Sequence, residues 1–542
     1  MLFVAFLAGC TVPIGPGFKH TSRDDAIGQV SAASSAVTPP GAVSSAPAAP
    51  APAAYIRVRV SDELVNIGNS ALSYLDVSLP AGNSVRVANL IFRVNGQQIE
   101  PVTRNPGAPE RIPFENLWKP GDTHTIVFDY DLQPNPGDGA AVAASAAGFY
   151  ITELAAFPHW QPPIGVFAKA DVRAAQETFE VSVPPGFLVL APGKEVVPAG
   201  TAAQLQFRVT PADFPPFVIA GRYRERTTMT KNVGVVFWTF NALDAAPAQQ
   251  VADRLAATSA EYERLFGPLY NVPRGKVAVP WSVHVVEAPA PIPPLGAQFV
   301  DSQIAPAQIV DAQIIDPQTV RAQTAAAPAA GAPVAQARPD PATGLSALSF
   351  PQGILLDPRA FARGLTSEPV LDLAEYELAQ SWFGWRVQVT PAAQYLLRDG
   401  LARFAVLAAG EAREGEPARR RAIAALIATF DSYRAAAPVA ASASAPGNFP
   451  IVPIIPRTPE QRAAGAAKAA LFFVALEDLA GKPNFSLALH RLVQNMAGRS
   501  AGEADLRSAM EAASGRDLAA MCRTWLSPAD IPADFRARHR TP

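Results

Sequence analysis

The segment LAEYELAQSWFGW, residues 373–385, reads as a helix that runs into an aromatic turn. Side chains four residues apart stack on one helix face. Two imidazoles at that spacing, with a carboxylate directly after the first, let a single helix hold a metal ion and present a general base to its bound water. Here those three positions carry Tyr376, Glu377 and Gln380. A phenol with a pKa near 10 and a neutral amide are both poor ligands for zinc at neutral pH.

Moving outward, Trp382, Phe383 and Gly384 follow closely, and after eighteen intervening residues beyond Gln380 the segment LLRDGLARFA (396–405) places Asp399 before Gly400. The register of these pieces resembles the membrane alanyl aminopeptidases, gluzincin zinc metallopeptidases with the signature His-Glu-x-x-His, then Trp-Phe-Gly or similar, then a ligand Glu in a Leu-Asn-Glu-Gly-Phe-Ala segment. The flanks agree with it. FPPFVIAGRYRE (214–225) resembles the end of the family's N-terminal saddle domain, and LFGPLYNVPRGKVAV (265–279) its helix-to-strand step. TGLSALSFPQGILLDP (343–358) resembles the strand leading to the zinc helix, and DLRSAMEAASGRDLAAMCRTWLS (505–527) the final helices. The likeness spans about 55 to 530 and lacks the family's large C-terminal helical domain.

The resemblance implies site positions that can be checked one by one. The first and second zinc ligands fall on Tyr376 and Gln380, the third on Asp399, and the general base on Glu377. The family's tyrosine that steadies the tetrahedral intermediate falls on Ala466, in AAKAALFFVAL (466–476). The Gly-x-Met-Glu-Asn strand that grips a substrate's amine has no match; GAQFV (296–300) and the segment before GLSALS both lack its Met-Glu-Asn. Losing a single outer partner of a metal ligand costs roughly 10 to 100-fold in affinity, so losing both imidazoles should cost far more. The expectation is therefore no metal, no cofactor, no catalytic residue and no enzyme: a degenerate, non-catalytic member that binds a peptide or protein. Two alternatives stand beside it, a working zinc aminopeptidase with an atypical site and an accessory subunit of an envelope transporter. Replacing Tyr376, Gln380 and Asp399 together by His, His and Glu is expected to restore metal. The plain structural readings are core aromatics at Tyr376, Trp382 and Phe383, a solvated or hydrogen-bonded Glu377, and a turn or cap at Asp399.

The rest of the chain frames this centre. At 542 residues it is too long for one core. Residues 1–54 read as a signal and tether: MLFVAFLAGC has the shape of a bacterial lipoprotein signal, which makes Cys10 the lipidation site, and residues 31–54 are an Ala/Pro/Ser run that cannot bury enough surface to fold. Residues 55–225 alternate in short runs such as YIRVRV, VANLIFRV and HTIVFDYDL, the pattern of an antiparallel β-sandwich. Residues 226–542 turn helical, the thermolysin-like part of the resemblance, with inserted loops at 297–344 and 435–459. The first loop repeats Gln at 303, 308, 313, 318 and 323. This sets a multidomain fold class: a saddle-like β-sandwich followed by a mainly helical gluzincin domain. Net charge is -2 with 17% charged residues, which leaves no electrostatic footprint for nucleic acid. AALFFVAL (469–476) is too short for a membrane span and reads as a core helix. The expected membrane contact is the lipid on Cys10, on the periplasmic side of the outer membrane.

Overall fold

The structure, a computed structural model, describes residues 55–66, 71–78, 85–100, 110–134, 142–151, 159–160, 167–169, 176–184, 186–191, 194–196, 204–209, 217–230, 233–269, 282–292, 338–339, 345–351, 353–390, 393–436, 459–526 and 530–539. Cys10 and the tether lie outside the described residues. So do the loops at 297–344 and 435–459, apart from short segments at their ends.

The alternating runs of the first part form antiparallel sheets. The central strand Tyr55–Asn66 pairs with Thr123–Pro134 on one side and Gln176–Ser182 on the other, within an eight-stranded sheet. A three-stranded and a four-stranded sheet pack with it. Inward side chains, among them Phe92, Trp118, Phe128, Tyr130 and Ile151, close the core between them. Each such side chain contributes about 1.5 to 3 kcal/mol when fully buried, which is what the period-two pattern encodes. The strand Glu110–Trp118 was not among the expected ones; Pro113 interrupts its pattern, and its neighbour Leu72–Ser78 shows a register shift against it.

The second part opens with a six-stranded mixed sheet. Its order is Arg224–Met229, Gly234–Thr239, Ser282–Glu287, Gly353–Leu356, Ser346–Phe350 and Arg338–Pro339. The strand Val218–Gly221 of the four-stranded sheet joins the two parts: Ile219 shares a buried cluster with Trp238, Val286 and Leu348, and the preceding Phe217 packs at a tilt against Phe350 with ring centroids 4.8 Å apart. Tyr223 Oη donates to the Glu287 carbonyl at 3.0 Å across the same seam.

Helices cover the other face of this sheet. They are α1 (Ala245–Phe266), α2 (Pro358–Arg363) and α3 (Glu368–Ala379), then a π-helix (Gln394–Gly400). After it come α4 (Leu401–Glu414), α5 (Glu416–Ala436), α6 (Pro459–Ala480) and α7 (Lys482–Met496). Three short helices close the chain, α8 (Glu503–Ser514), α9 (Ala519–Leu526) and α10 (Ala533–Arg538). Every residue from Ala469 to Leu476 of α6 is buried, so this helix is apolar all round because it lies in the centre of the bundle. Among the described residues no helix is long and apolar enough to cross a membrane. The architecture is the one the sequence implied, a β-sheet N-terminal part followed by a mainly helical part.

Candidate active site

Helix α3 is fixed before it delivers its polar residues. Glu375, fully buried, accepts hydrogen bonds from Thr258 on α1 at 2.6 Å and from Arg413 on α4 at 2.8 Å, and pairs with Arg254. Tyr262 Oη donates to the Glu375 backbone carbonyl at 3.0 Å. These bonds set the rotation of α3 about its axis, and with it where Tyr376, Glu377 and Gln380 point.

The helix ends by tightening. The amides of Gln380, Ser381 and Trp382 bond to the carbonyls three residues earlier, and the chain reverses at Gly384, whose φ of +144° disfavours a side chain. A Cβ there would also lie 3.0 Å from the Gln380 carbonyl. The aromatic turn is wedged against α1. Trp382 Nε1 donates to the Gly267 carbonyl at 2.8 Å, and its ring sits 5.9 Å from both Tyr262 and Phe266.

Against this frame the expected site positions meet in a polar centre sealed from water. Tyr376, Glu377, Gln380, Asp399 and Arg462 are 1%, 0%, 0%, 2% and 5% exposed. Tyr376 Oη donates to Asp399 Oδ1 at 2.9 Å. Arg462, from the first turns of α6, grips the same carboxylate with two parallel bonds, Nε to Oδ2 and Nη2 to Oδ1, both 2.8 Å. Arg403 places its guanidinium carbon 4.9 Å from the centre of the Tyr376 ring. Gln380 is held apart from this pair: its Oε1 accepts from Arg398 Nε at 2.8 Å and from Ser349 Oγ at 3.0 Å. Ala466 is buried one turn after Arg462 on α6 and brings no polar group.

Of the plain readings, one is narrowed and one is corrected. Glu377 is not solvated, because α3 runs through the core and all its residues from Leu373 to Ala379 are buried. Asp399 is neither turn nor cap; it lies inside the π-helix, which continues into α4 without a break. Gly400 makes that possible, since a Cβ at this position would come within 2.4 Å of the Ala469 Cβ on α6. The near contact of the two helices is what brings Arg462 to Asp399. Arg462 was missed by sequence reasoning. Its one local signal is a lone cation on the helix face that carries Ala466 a turn later.

The electrostatics follow from this packing. Burial alone would raise the Asp399 carboxyl, but the Arg462 charge outweighs it and holds the group below the ordinary carboxylate value. Arg462 in turn is held above its ordinary value against burial by Asp399, with Tyr376 and Glu377 adding to the effect. A depressed carboxyl adds stability that is complete above the ordinary pKa of about 3.9 and lost as pH falls through the lower folded value. Asp399→Asn should therefore lose less melting temperature than the parent on acidification from about pH 4 to 2. Identical acid limbs in scanning calorimetry would refute it.

No family model matches this sequence, and no curated protein matches it. Solved structures do. The M1 zinc metallopeptidase from Deinococcus radiodurans matches with a TM-score of 0.53 and 16% identity, over 89% of this chain and 91% of that one. A mutant of that peptidase bound to a Tyr-Ser-Ala substrate matches with a TM-score of 0.54 and 16% identity, again over 89% and 91%. A two-domain M1 zinc metallopeptidase mutant bound to L-arginine matches with a TM-score of 0.53 and 16% identity, over 88% and 90%.

The fold implies a zinc ion, and the side chains at this centre do not fit one. Both Asp399 oxygens and the Gln380 oxygen are taken by N–H and O–H donors, and a guanidinium stands beside the carboxylate. Among the described residues no group of three or more His, Cys, Asp or Glu side chains could hold a metal. The matches nevertheless correct the expectation that the chain is not an enzyme, because the solved proteins that share its fold across 89% of its length are zinc metallopeptidases. That expectation rested on the missing imidazoles, on Ala466 and on the absent Met-Glu-Asn segment. Glu377, the carboxylate at the base position, is retained and fully buried. The chain has the two-domain fold of the M1 zinc metallopeptidases.

Proposed function

We propose that this chain binds polypeptide over the centre where α3, the π-helix and α6 meet, beside Tyr376 and Arg403. The observation that supports this is the fold match to an M1 peptidase holding a Tyr-Ser-Ala substrate. Arg403 is only partly buried above the Tyr376 ring, so its cation is the charged group of the centre best placed to meet a ligand's polar backbone. The chain acts in the bacterial cell envelope on this reading, held by lipid on Cys10.

A second reading, hydrolysis of the bound peptide, is favoured by the retained Glu377 and by the same matches. One assay reads both. Fluorescence anisotropy of short labelled peptides with the full chain should show a Kd of about 1 mM or tighter, weakened about tenfold or more by Arg403→Ala. Mass spectrometry of the same mixtures then shows whether the peptides are shortened from the amino end. Absence of binding across a mixed-sequence peptide pool would end the proposal; shortened products would establish the second reading.

A further inference from the structure

We infer that Arg462 takes over the role of the metal's charge in this scaffold and, by doing so, keeps a divalent ion out. The inference is independent of whether the cleft binds peptides.

Three observations carry it. The guanidinium sits on the carboxylate at the third-ligand position in a fork-on-fork geometry, with both bonds at 2.8 Å and both residues buried. The phenol at the first-ligand position is turned to donate to that same carboxylate, so it works as an O–H donor rather than a ligand oxygen. The amide oxygen at the second-ligand position is turned away to Arg398 and Ser349. Each of the three positions is thus committed to hydrogen bonds, Tyr376 as a donor and Gln380 and Asp399 as acceptors, and the cation that faces Asp399 is covalently part of the chain. A zinc ion needs deprotonated or neutral donors pointing inward at roughly 2.0 to 2.3 Å. A permanently charged guanidinium beside the carboxylate opposes it by direct repulsion.

This changes the expected result of restoring the ligands. With Tyr376→His, Gln380→His and Asp399→Glu introduced together, Arg462 still reaches the acidic residue at 399, and the triple variant should retain less than about a tenth of an equivalent of zinc after buffer exchange. Adding Arg462→Met to the same full-length chain should raise retention to about one equivalent, with a rise in melting temperature that chelator reverses. About one equivalent in the triple variant would overturn the inference, because Arg462 would then exclude nothing; so would no zinc in the quadruple variant, which would place the obstacle elsewhere. A third measurement needs no variant. The melting temperature of the unmodified chain should be the same in zinc and in chelator, and a rise with zinc that chelator reverses would overturn the inference even if the variants failed to fold.

Discussion

Arg462→Met is expected to cost about 3 to 5 kcal/mol of folding stability, read as a lower urea midpoint at unchanged slope. The size follows from what is left behind. Asp399 is buried and ionised, and methionine supplies neither the charge nor the two N–H donors that offset its desolvation. The Tyr376 hydroxyl remains as a donor, and one neutral hydrogen bond, worth about 1 kcal/mol net, cannot replace a bidentate charged pair. Lysine in place of Arg462 keeps the charge and loses the fork, so its cost should fall between the parent and Met. The decisive comparison is the double variant Arg462→Met with Asp399→Leu. Removing both charges removes both desolvation penalties, and such replacements are often neutral or stabilising. The double variant should regain most of what the single one loses. A loss below about 1 kcal/mol in the single variant would mean that water reaches Asp399 and that the centre is not sealed.

The same centre shows how far the sequence could be read. The fold class was legible because it rests on periodicity: the alternating runs YIRVRV, VANLIFRV and HTIVFDYDL became strands, and AALFFVAL became the buried middle of α6. Tyr376, Gln380 and Asp399 were legible as positions because a helical spacing and a fixed separation are properties of the chain. Their partners were not. Arg462 lies 63 residues from Asp399, and Arg254, Thr258 and Arg413 lie 121, 117 and 38 residues from Glu375; no local pattern ties these together. The π-helix was equally hidden, since a one-residue shift in backbone hydrogen bonding leaves composition unchanged. Gly400 could be seen but not understood, because the reason for it is the approach of Ala469. What a buried carboxylate such as Glu377 can do depends on charges the sequence does not place beside it.

Trp382→Ala should be comparably damaging, with a loss of about 3 to 5 kcal/mol. Trp382 is among the largest fully buried side chains, and it stands between α1 and the end of α3. Alanine removes the ring from contact with Tyr262 and Phe266, leaves a void that close-packed neighbours can only partly fill, and takes the indole donor from the Gly267 carbonyl. Gly267 is itself the residue that ends α1, with φ of +83°, so the lost bond loosens both helices at once. Trp382→Phe separates the two contributions. It keeps most of the apolar contact and loses the hydrogen bond, and should cost about 1 to 2 kcal/mol. The damage should also spread to the polar centre, because the turn at Gln380–Trp382 fixes where α3 stops and therefore where Gln380 meets Arg398 and Ser349. Amide hydrogen exchange should then quicken at residues 376–387 before it does in the β-sheets of the first part. If Trp382→Ala lost less than about 1 kcal/mol and left that exchange unchanged, the aromatic turn would not be what holds α3 in place.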